Sequence, residues 1–248
     1  MTLLELTQNI LSSMDSDEVN SYSDTTESRQ VAEIIRTAYY NIIARAQLPE
    51  HQDLFSLDAS GDTALPVLMY KPENVRKIEW IKYDKSDSGV ASEPEYDYVT
   101  FLPLAQFLNI VHKLDPDETN VDSLTLNDHI YYYRNDIAPT YYTVIGDYNI
   151  LFDAYNEDVD DTLQETKTIC FGQIQPTFTL DDDFTPDLDA AQFPLLLNEA
   201  KSLAFLELKQ MTNEKAEQES RRQWRTTQHT KKLQKTSPFD ELPHFGRK

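Results

Sequence analysis

Cysteine, glycine and long apolar runs are scarce in this sequence, and each scarcity removes a class of function. Cys170 is the only cysteine among 248 residues, so no intrachain disulfide and no multi-thiolate metal site can form. A lone thiol fits assembly in a reducing cytosol. Five glycines leave little material for loops that cradle phosphates. No apolar run approaches the roughly 20 residues of a membrane span. The opening MTLLELTQNILSSMDSDE has no basic region and turns acidic early, unlike a secretory signal. Basic residues are scarce as well. There are 22 against 43 acidic residues, and 11 of the 22 fall in residues 201–248 beside only 6 acids. Residues 1–200 therefore hold 11 basic and 37 acidic side chains. An acidic body with a basic tail does not clamp polyanionic DNA, although DNA can pass it without being held.

What is present reads as α+β. Thr2-Leu3-Leu4-Glu5 has the spacing of a capping box, followed by Leu3, Leu6, Ile10 and Met14 at helical spacing, which predicts a helix over 3–14. Asp24 and Glu27 repeat the cap spacing before a stripe of Val31, Ile34, Ile35, Ala38, Ile42 and Ala46. The two helices are expected to pair. From residue 62 the period shortens. LPVLMY (65–70), VRKIEWIKY (75–83), YDYVTF (96–101), HIYYYRN (129–135), TYYTVI (140–145) and YNILFDAY (148–155) read as strands, with TICFGQ and PTFTL adding one or two more. In the second of these, Ile78 and Trp80 share one face, while Ile81 and Tyr83 share the other. Pro103 opens a helix in PLAQFLNIVHKL, and Gly146-Asp147 reads as a two-residue hairpin link.

Helical spacing returns in FPLLLNEAKSLAFLELKQ (193–210), with a stripe of Leu196, Ala200, Leu203, Ala204, Leu208 and Met211. Leu195, Phe205 and Leu206 lie off it, so this helix must bury more than one side. Those three are candidates for a contact with another subunit. Beyond residue 214 the helix turns polar all round, Glu217 and Arg221 make an i,i+4 pair, and Pro238 ends it. The expected organisation is a helical pair at 1–60, a β-rich region at 61–184, a long helix at 185–235 and an extended tail at 236–248. The expected fold is a bundle of N- and C-terminal helices with an antiparallel β-rich middle.

The chemistry these residues offer is thin. Asp181-Asp182-Asp183 lacks the alternating ligands and the glycine of a calcium loop, as does DVDD at 158–161, so a solvated turn that caps the next helix is the better reading. The histidines (51, 112, 129, 229, 244) form no metal motif, no serine sits in a nucleophile elbow, and Cys170 lies in a strand pattern. No catalytic residue, metal or cofactor is expected. The tyrosines of 131–155 have acidic neighbours, which suits sheet packing better than nucleic-acid stacking. The basic tail stands out. Arg221, Arg222, Trp224, Arg225, Lys231, Lys232, Phe239 and Phe245 combine cations with spaced aromatics, the residue types of interface anchors. The simpler alternative is a solvated charged face.

Three stretches resemble the head-to-tail adaptors of short-tailed bacteriophages, the tail-tubular or gatekeeper type. They are LLELTQNILSSMDSDEVNSYSDTTESRQVAEIIRTAYYNII, PTYYTVIGDYNILFDAYNEDVDDTLQETKTICFGQ, and PTFTLDDDFTPDLDAAQFPLLLNEAKSLAFLELKQMTNEKAEQESRRQ. The resemblance implies a virion structural protein assembled in the host cytoplasm. It would form a ring, usually of twelve copies, at the head–tail junction. It would bind the portal protein through its C-terminal segment and a tail or nozzle protein at the distal end. The ring would continue the DNA channel without chemistry of its own. The competing expectation is a monomeric acidic binding or regulatory protein whose basic tail engages a partner.

Overall fold

The computed structural model describes residues 1–46, 48–87, 93–160 and 162–235. Five helices are formed: α1 (Leu3–Ser13), α2 (Thr26–Arg45), α3 (Leu104–Val111), α4 (Phe193–Lys209) and α5 (Glu214–Lys235). The strands are β1 (Gln52–Phe55), β2 (Asp58–Ala59), β3 (Leu68–Tyr70), β4 (Val75–Asp84), β5 (Tyr96–Phe101), β6 (Val121–Leu126), β7 (His129–Arg134), β8 (Tyr141–Ile145), β9 (Asn149–Phe152) and β10 (Thr168–Ile174). They divide into two compact units, a helical one from Met1–His51 plus the chain from Pro176 onward, and a β-rich one from Gln52–Gln175.

In the helical unit the capping box of α1 forms as its spacing predicts. The Thr2 hydroxyl accepts from the Glu5 N–H, and the Glu5 carboxylate accepts from the Thr2 N–H. The cap of α2 lies one residue beyond the expected one. Thr25 and Ser28 cap each other, while the Asp24 carboxylate takes the N–H groups of Asn20 and Ser21. The core gathers Leu3, Leu6 and Ile10 of α1, Val31, Ile35 and Ile42 of α2, and Leu196, Ala200 and Ala204 of α4. Phe178 joins it from outside any strand, so PTFTL packs as a loop against Tyr39 and Phe184.

In the β unit the strand order is β1-β10-β4-β5-β8-β9-β3-β2. Every neighbouring pair is antiparallel except β5–β8, which is parallel. Parallel pairing needs a long crossover, and α3 with the separate ribbon β6–β7 supplies it. The ribbon turns through Asn127 and Asp128, both at positive φ (52° and 63°). That is the left-handed pair a two-residue primed turn requires. Gly146 opens a three-residue β8–β9 loop instead of the expected two-residue one, because Ile145 pairs with Asn149.

The expected bundle with an antiparallel middle is not what forms. The architecture is mixed α/β, with an eight-stranded mixed sheet and five helices. A bundle needs an apolar stripe on every helix. Among the described residues, the side chains that α5 turns toward α4 include Ala216, Ser220 and Trp224, with Gln223 accepting from Asn198 of α4. The helices therefore pack serially, α1 on α2, α2 on α4 and α4 on α5, with α1 also meeting α4. Among the described residues no helix is long and apolar enough to cross a membrane.

Gly172 sits at a register shift between β10 and β4, where a Cβ would lie 2.1 Å from the Lys77 carbonyl oxygen. Because that atom is backbone, relief requires the strands to part. Gly172→Ala is expected to cost about 1–3 kcal/mol, read as a lowered midpoint in urea unfolding; an unchanged midpoint contradicts the close approach.

Candidate functional site: the outer face of α4 and α5

The residues picked out for contacts divide by burial. Leu195 is only 1% exposed and belongs to the core of its own unit. Phe205 is half-buried against the same core. Leu206 is 55% exposed, and Met211, expected on the buried stripe, is 64% exposed. The reason for Met211 is local. Gln210 adopts a left-handed conformation (φ 52°, ψ 33°) and ends α4, so the helical spacing does not carry through to residue 211.

On α5, Arg221, Arg222 and Arg225 are exposed. Arg221 pairs with Glu217, as its spacing predicts, and Arg222 lies 3.9 Å from Glu219. Trp224 packs against the helical core beneath the Arg45 guanidinium, 5.9 Å from the ring centroid. Its buried Nε1–H has no acceptor among the described residues. Ser220, almost fully buried, donates to Glu199, whose carboxylate also lies 3.8 Å from Arg45. Together these line a cleft of about 270 Å3 between α4 and α5. Its lining sets the Arg45 and Arg221 guanidinium groups against the Glu199 and Glu217 carboxylates, with the Trp224 indole beside them. Lys231 and Lys232 continue along α5, and Phe239 and Phe245 lie outside the described residues.

The acidic stretches prove to be structural tethers. The Asp182 carboxylate accepts from the Tyr22 N–H, and its carbonyl from the Leu4 N–H, so the turn secures the start of α1 and not, as expected, the helix that follows it. The Asp160 carboxylate takes the N–H and hydroxyl of Thr162 and the N–H of Gln164. Among the described residues no group of three or more His, Cys, Asp or Glu is placed to hold a metal ion. A cavity of about 430 Å3 in the β unit is lined by Tyr83, Asp84, Asp136, Asn156, Asp160 and Lys167. Its charges already have partners, Asp136 in Arg134 and the lining Lys85 in Asp97. The buried Lys167 ammonium donates to the Ser86 carbonyl. Burial pushes Asp84 up, but hydrogen bonds from Ser86 and Glu95 and the Lys167 charge together hold it below the usual carboxylate range. Burial likewise pushes the Cys170 thiol up to about 12. His51 is buried, with Nε2 2.8 Å from the Asp187 carbonyl oxygen.

Sequence reasoning missed one surface. Directly paired residues of β1, β10, β4 and β5 line up Leu54, Phe171 and Trp80, with Tyr98 against Trp80. Leu54 is 59% and Tyr98 63% exposed. The signal was in β4, where Trp80 alternates with Ile81 and Tyr83; Ile78, expected on the Trp80 side, instead packs against the core with Ile81 and Tyr83, because a register shift sets it opposite Gly172. A strand apolar on both faces wants both faces covered.

A carboxyl depressed in the folded state stabilises above its unfolded pKa, and that stability is lost as pH falls through the folded value. Asp84→Asn is therefore expected to lower stability at pH 7 and to flatten its decline below about pH 4, read by thermal melts from pH 7 to 2; parallel curves for both proteins refute the assignment. Cys170 is expected to react with a thiol reagent only on unfolding, and rapid native labelling contradicts its burial. No protein-family model matches the chain, and no curated protein matches it either.

Proposed function

We propose that this chain is a virion structural protein, a head-to-tail adaptor that self-associates into a ring beneath the portal protein of a short-tailed bacteriophage. The observation that carries this reading beyond the three resembling stretches is α5. It is a 22-residue helix that presents exposed Arg221, Arg222 and Arg225 from an otherwise acidic chain. It rests on α4 through Ala216, Ser220, Gln223 and Trp224. A helix that contributes so little to its own core is suited to contact another protein. Arg221, Arg222 and Arg225 are the proposed portal-facing residues; Trp224, expected with them from the sequence, packs inward on the helical core, and Lys231 and Lys232 follow later on α5.

Two further observations support self-association around DNA. Leu206 and Met211 leave apolar surface open beyond the core of the helical unit. Residues 1–200 carry 37 acids against 11 basic residues. Repeated around a ring, that excess would repel the DNA phosphates and let the duplex slide. A closed heterologous ring, unlike a two-fold dimer, generates a channel. Leu195, buried within its own subunit, is left out of the proposed contact, which falls to Leu206 and the exposed part of Phe205. The distal tail or nozzle protein and the twelvefold count rest on the resemblance.

The second reading, a monomeric acidic binding protein, uses the same cationic helix for a different partner. Charge reversal separates the two. The triple variant Arg221→Glu, Arg222→Glu and Arg225→Glu is expected to weaken co-sedimentation with portal particles at least tenfold, with unchanged circular dichroism. Light scattering of the unaltered chain is expected to show ring-sized particles once portal is added. Portal binding undiminished by the reversal, or a chain that stays monomeric beside portal, refutes the adaptor reading.

A further inference from the structure

The bend between α4 and α5 holds a conformation that its residues do not favour. Gln210 is left-handed (φ 52°, ψ 33°), where a helix ending usually places glycine. The Gln210 and Met211 N–H groups both turn back to the Phe205 carbonyl, and Met211 is left 64% exposed. No glycine or proline lies between Leu195 and Lys235, so the chain there is free to form one straight helix. Straightening would bring Gln210 back to right-handed backbone. It would also set Met211 seven residues after Ala204 and three after Leu208, on the side that packs on the helical core. Against this it would give up the Asn213 cap, whose side chain accepts from the Ala216 N–H.

The packing of α5 on α4 keeps the register of a straight helix. Ser220 donates to Glu199 and Asn198 donates to Gln223, and both pairs are centred within half a residue of Gln210. From Leu203, alternating steps of three and four residues reach Leu206, Gln210, Asn213, Glu217, Ser220 and Trp224. Of these, Leu203, Glu217, Ser220 and Trp224 line the cleft between the two helices. The steps average 3.5 residues, the period of a seam between paired helices, and they run unbroken through the bend. A hairpin requires no such phase between its arms, whereas one straight helix keeps it.

A helix straightened at Gln210 leaves the seam of α4 bare, and a second straight copy is its complement. Two such helices laid antiparallel, Gln210 beside Gln210, remake the same contacts between chains: Glu199 with the partner's Ser220, Asn198 with the partner's Gln223. The charges at those contacts match by identity, since Arg45 stays with Glu199 and Arg221 with Glu217. New contact arises only at the crossing, between Leu206 and Asn213 of both copies. Each copy brings there Leu206, 55% exposed within one chain. It also brings Glu207 and Lys209, with Glu27 beside Lys209 and Glu214 at the margin. The crossing is therefore mildly acidic, and salt screens that repulsion.

We propose that the free chain pairs with a second copy by exchanging α5: the bend at Gln210 straightens, and each α5 packs on the α4 of its partner. Exchange of an identical element is a low-cost route to pairs, and a short strained hinge invites it. Only the face of α5 that carries Ala216, Ser220 and Trp224 changes owner, so Arg222 and Arg225 stay exposed in both forms. The exchange stands without the adaptor reading. Where that reading holds, the two-fold pair keeps Leu206, the proposed ring contact, covered until portal binding returns α5 to its own chain.

The test uses the full-length chain without portal. Light scattering over a concentration series is expected to show monomers passing to dimers. Chains carrying Asn198→Cys are mixed at low concentration with chains carrying Gln223→Cys, concentrated together, and treated with a short bismaleimide; the buried Cys170 stays out of the reaction. Cross-linked pairs are expected in the dimer fraction, and a chain carrying both substitutions should join internally as a monomer. Gln210→Gly relieves the left-handed residue and weakens the straight helix, so the yield of cross-linked pairs is expected to fall about tenfold. Gln210→Val, β-branched and poorly tolerated in left-handed backbone, is expected to raise it. Circular dichroism checks that each variant is folded. A chain monomeric at every concentration, dimers without cross-links between the two single variants, or equal yields from the glycine and valine variants overturns the exchange. Portal co-sedimentation is scored separately. Portal binding retained while the exchange fails refutes the exchange alone, and portal binding lost by the charge reversal's absence of effect leaves the cross-linked pairs to support the exchange by themselves.

Discussion

The helical unit depends on a late segment of the chain satisfying an early one. The first N–H groups of any helix lack partners within it. In α1 the Leu3 N–H donates to the Phe184 carbonyl at 2.7 Å and the Leu4 N–H to that of Asp182. The Asp182 carboxylate also holds the Tyr22 N–H, 2.7 Å away, on the link between α1 and α2. Beneath these bonds Phe184 packs on Phe178, and Phe178 on Tyr39 and Tyr40. Polar closure and aromatic packing thus act at one place. With the 182–184 turn gone, α1 would lose its end partners and part of its apolar cover together.

The same use of acids recurs elsewhere in the chain. Most of the aspartates that drew attention in the sequence serve as acceptors for nearby backbone N–H groups, a use that turns negative charge into local order. Asp24, Asp160, Asp181 and Asp182 each accept at least one such bond. The guanidinium groups of α5 are different. Their pairs with Glu217 and Glu219 are exposed one-turn contacts, which are weak in water and readily exchanged for a partner's carboxylates.

Legibility from sequence followed the range of the interactions. The Thr2–Glu5 box, the stripe of α2 and the Glu217–Arg221 pair are local and were readable. The cap of α2 moved to Thr25 because Ser28 replaces Glu27 as its reciprocal partner. β6 was missed because its alternation is brief and Asn127-Asp128 was not read as a primed turn. The parallel β5–β8 step joins strands separated by a helix and a ribbon, and no local pattern encodes that neighbour. On α4, Leu195 entered the core although it lay off the ideal stripe, since burial follows the packing of α1, α2 and α5 around it. The paired apolar faces of β4 were visible, but only strand order showed that one of them remains open.

The helical unit is also interrupted, and synthesis runs in one direction. α1 and α2 leave the ribosome first, yet α4 follows only after the whole of Gln52–Gln175. At about 5–20 residues per second that is a delay of roughly 6–25 seconds. Throughout it Leu3, Leu6, Ile10, Val31 and Ile35 have no finished core to enter, while the β unit can already close. Nascent chains of this protein should therefore spend their vulnerable interval with the first two helices exposed, where a chaperone that grips apolar helices would find them.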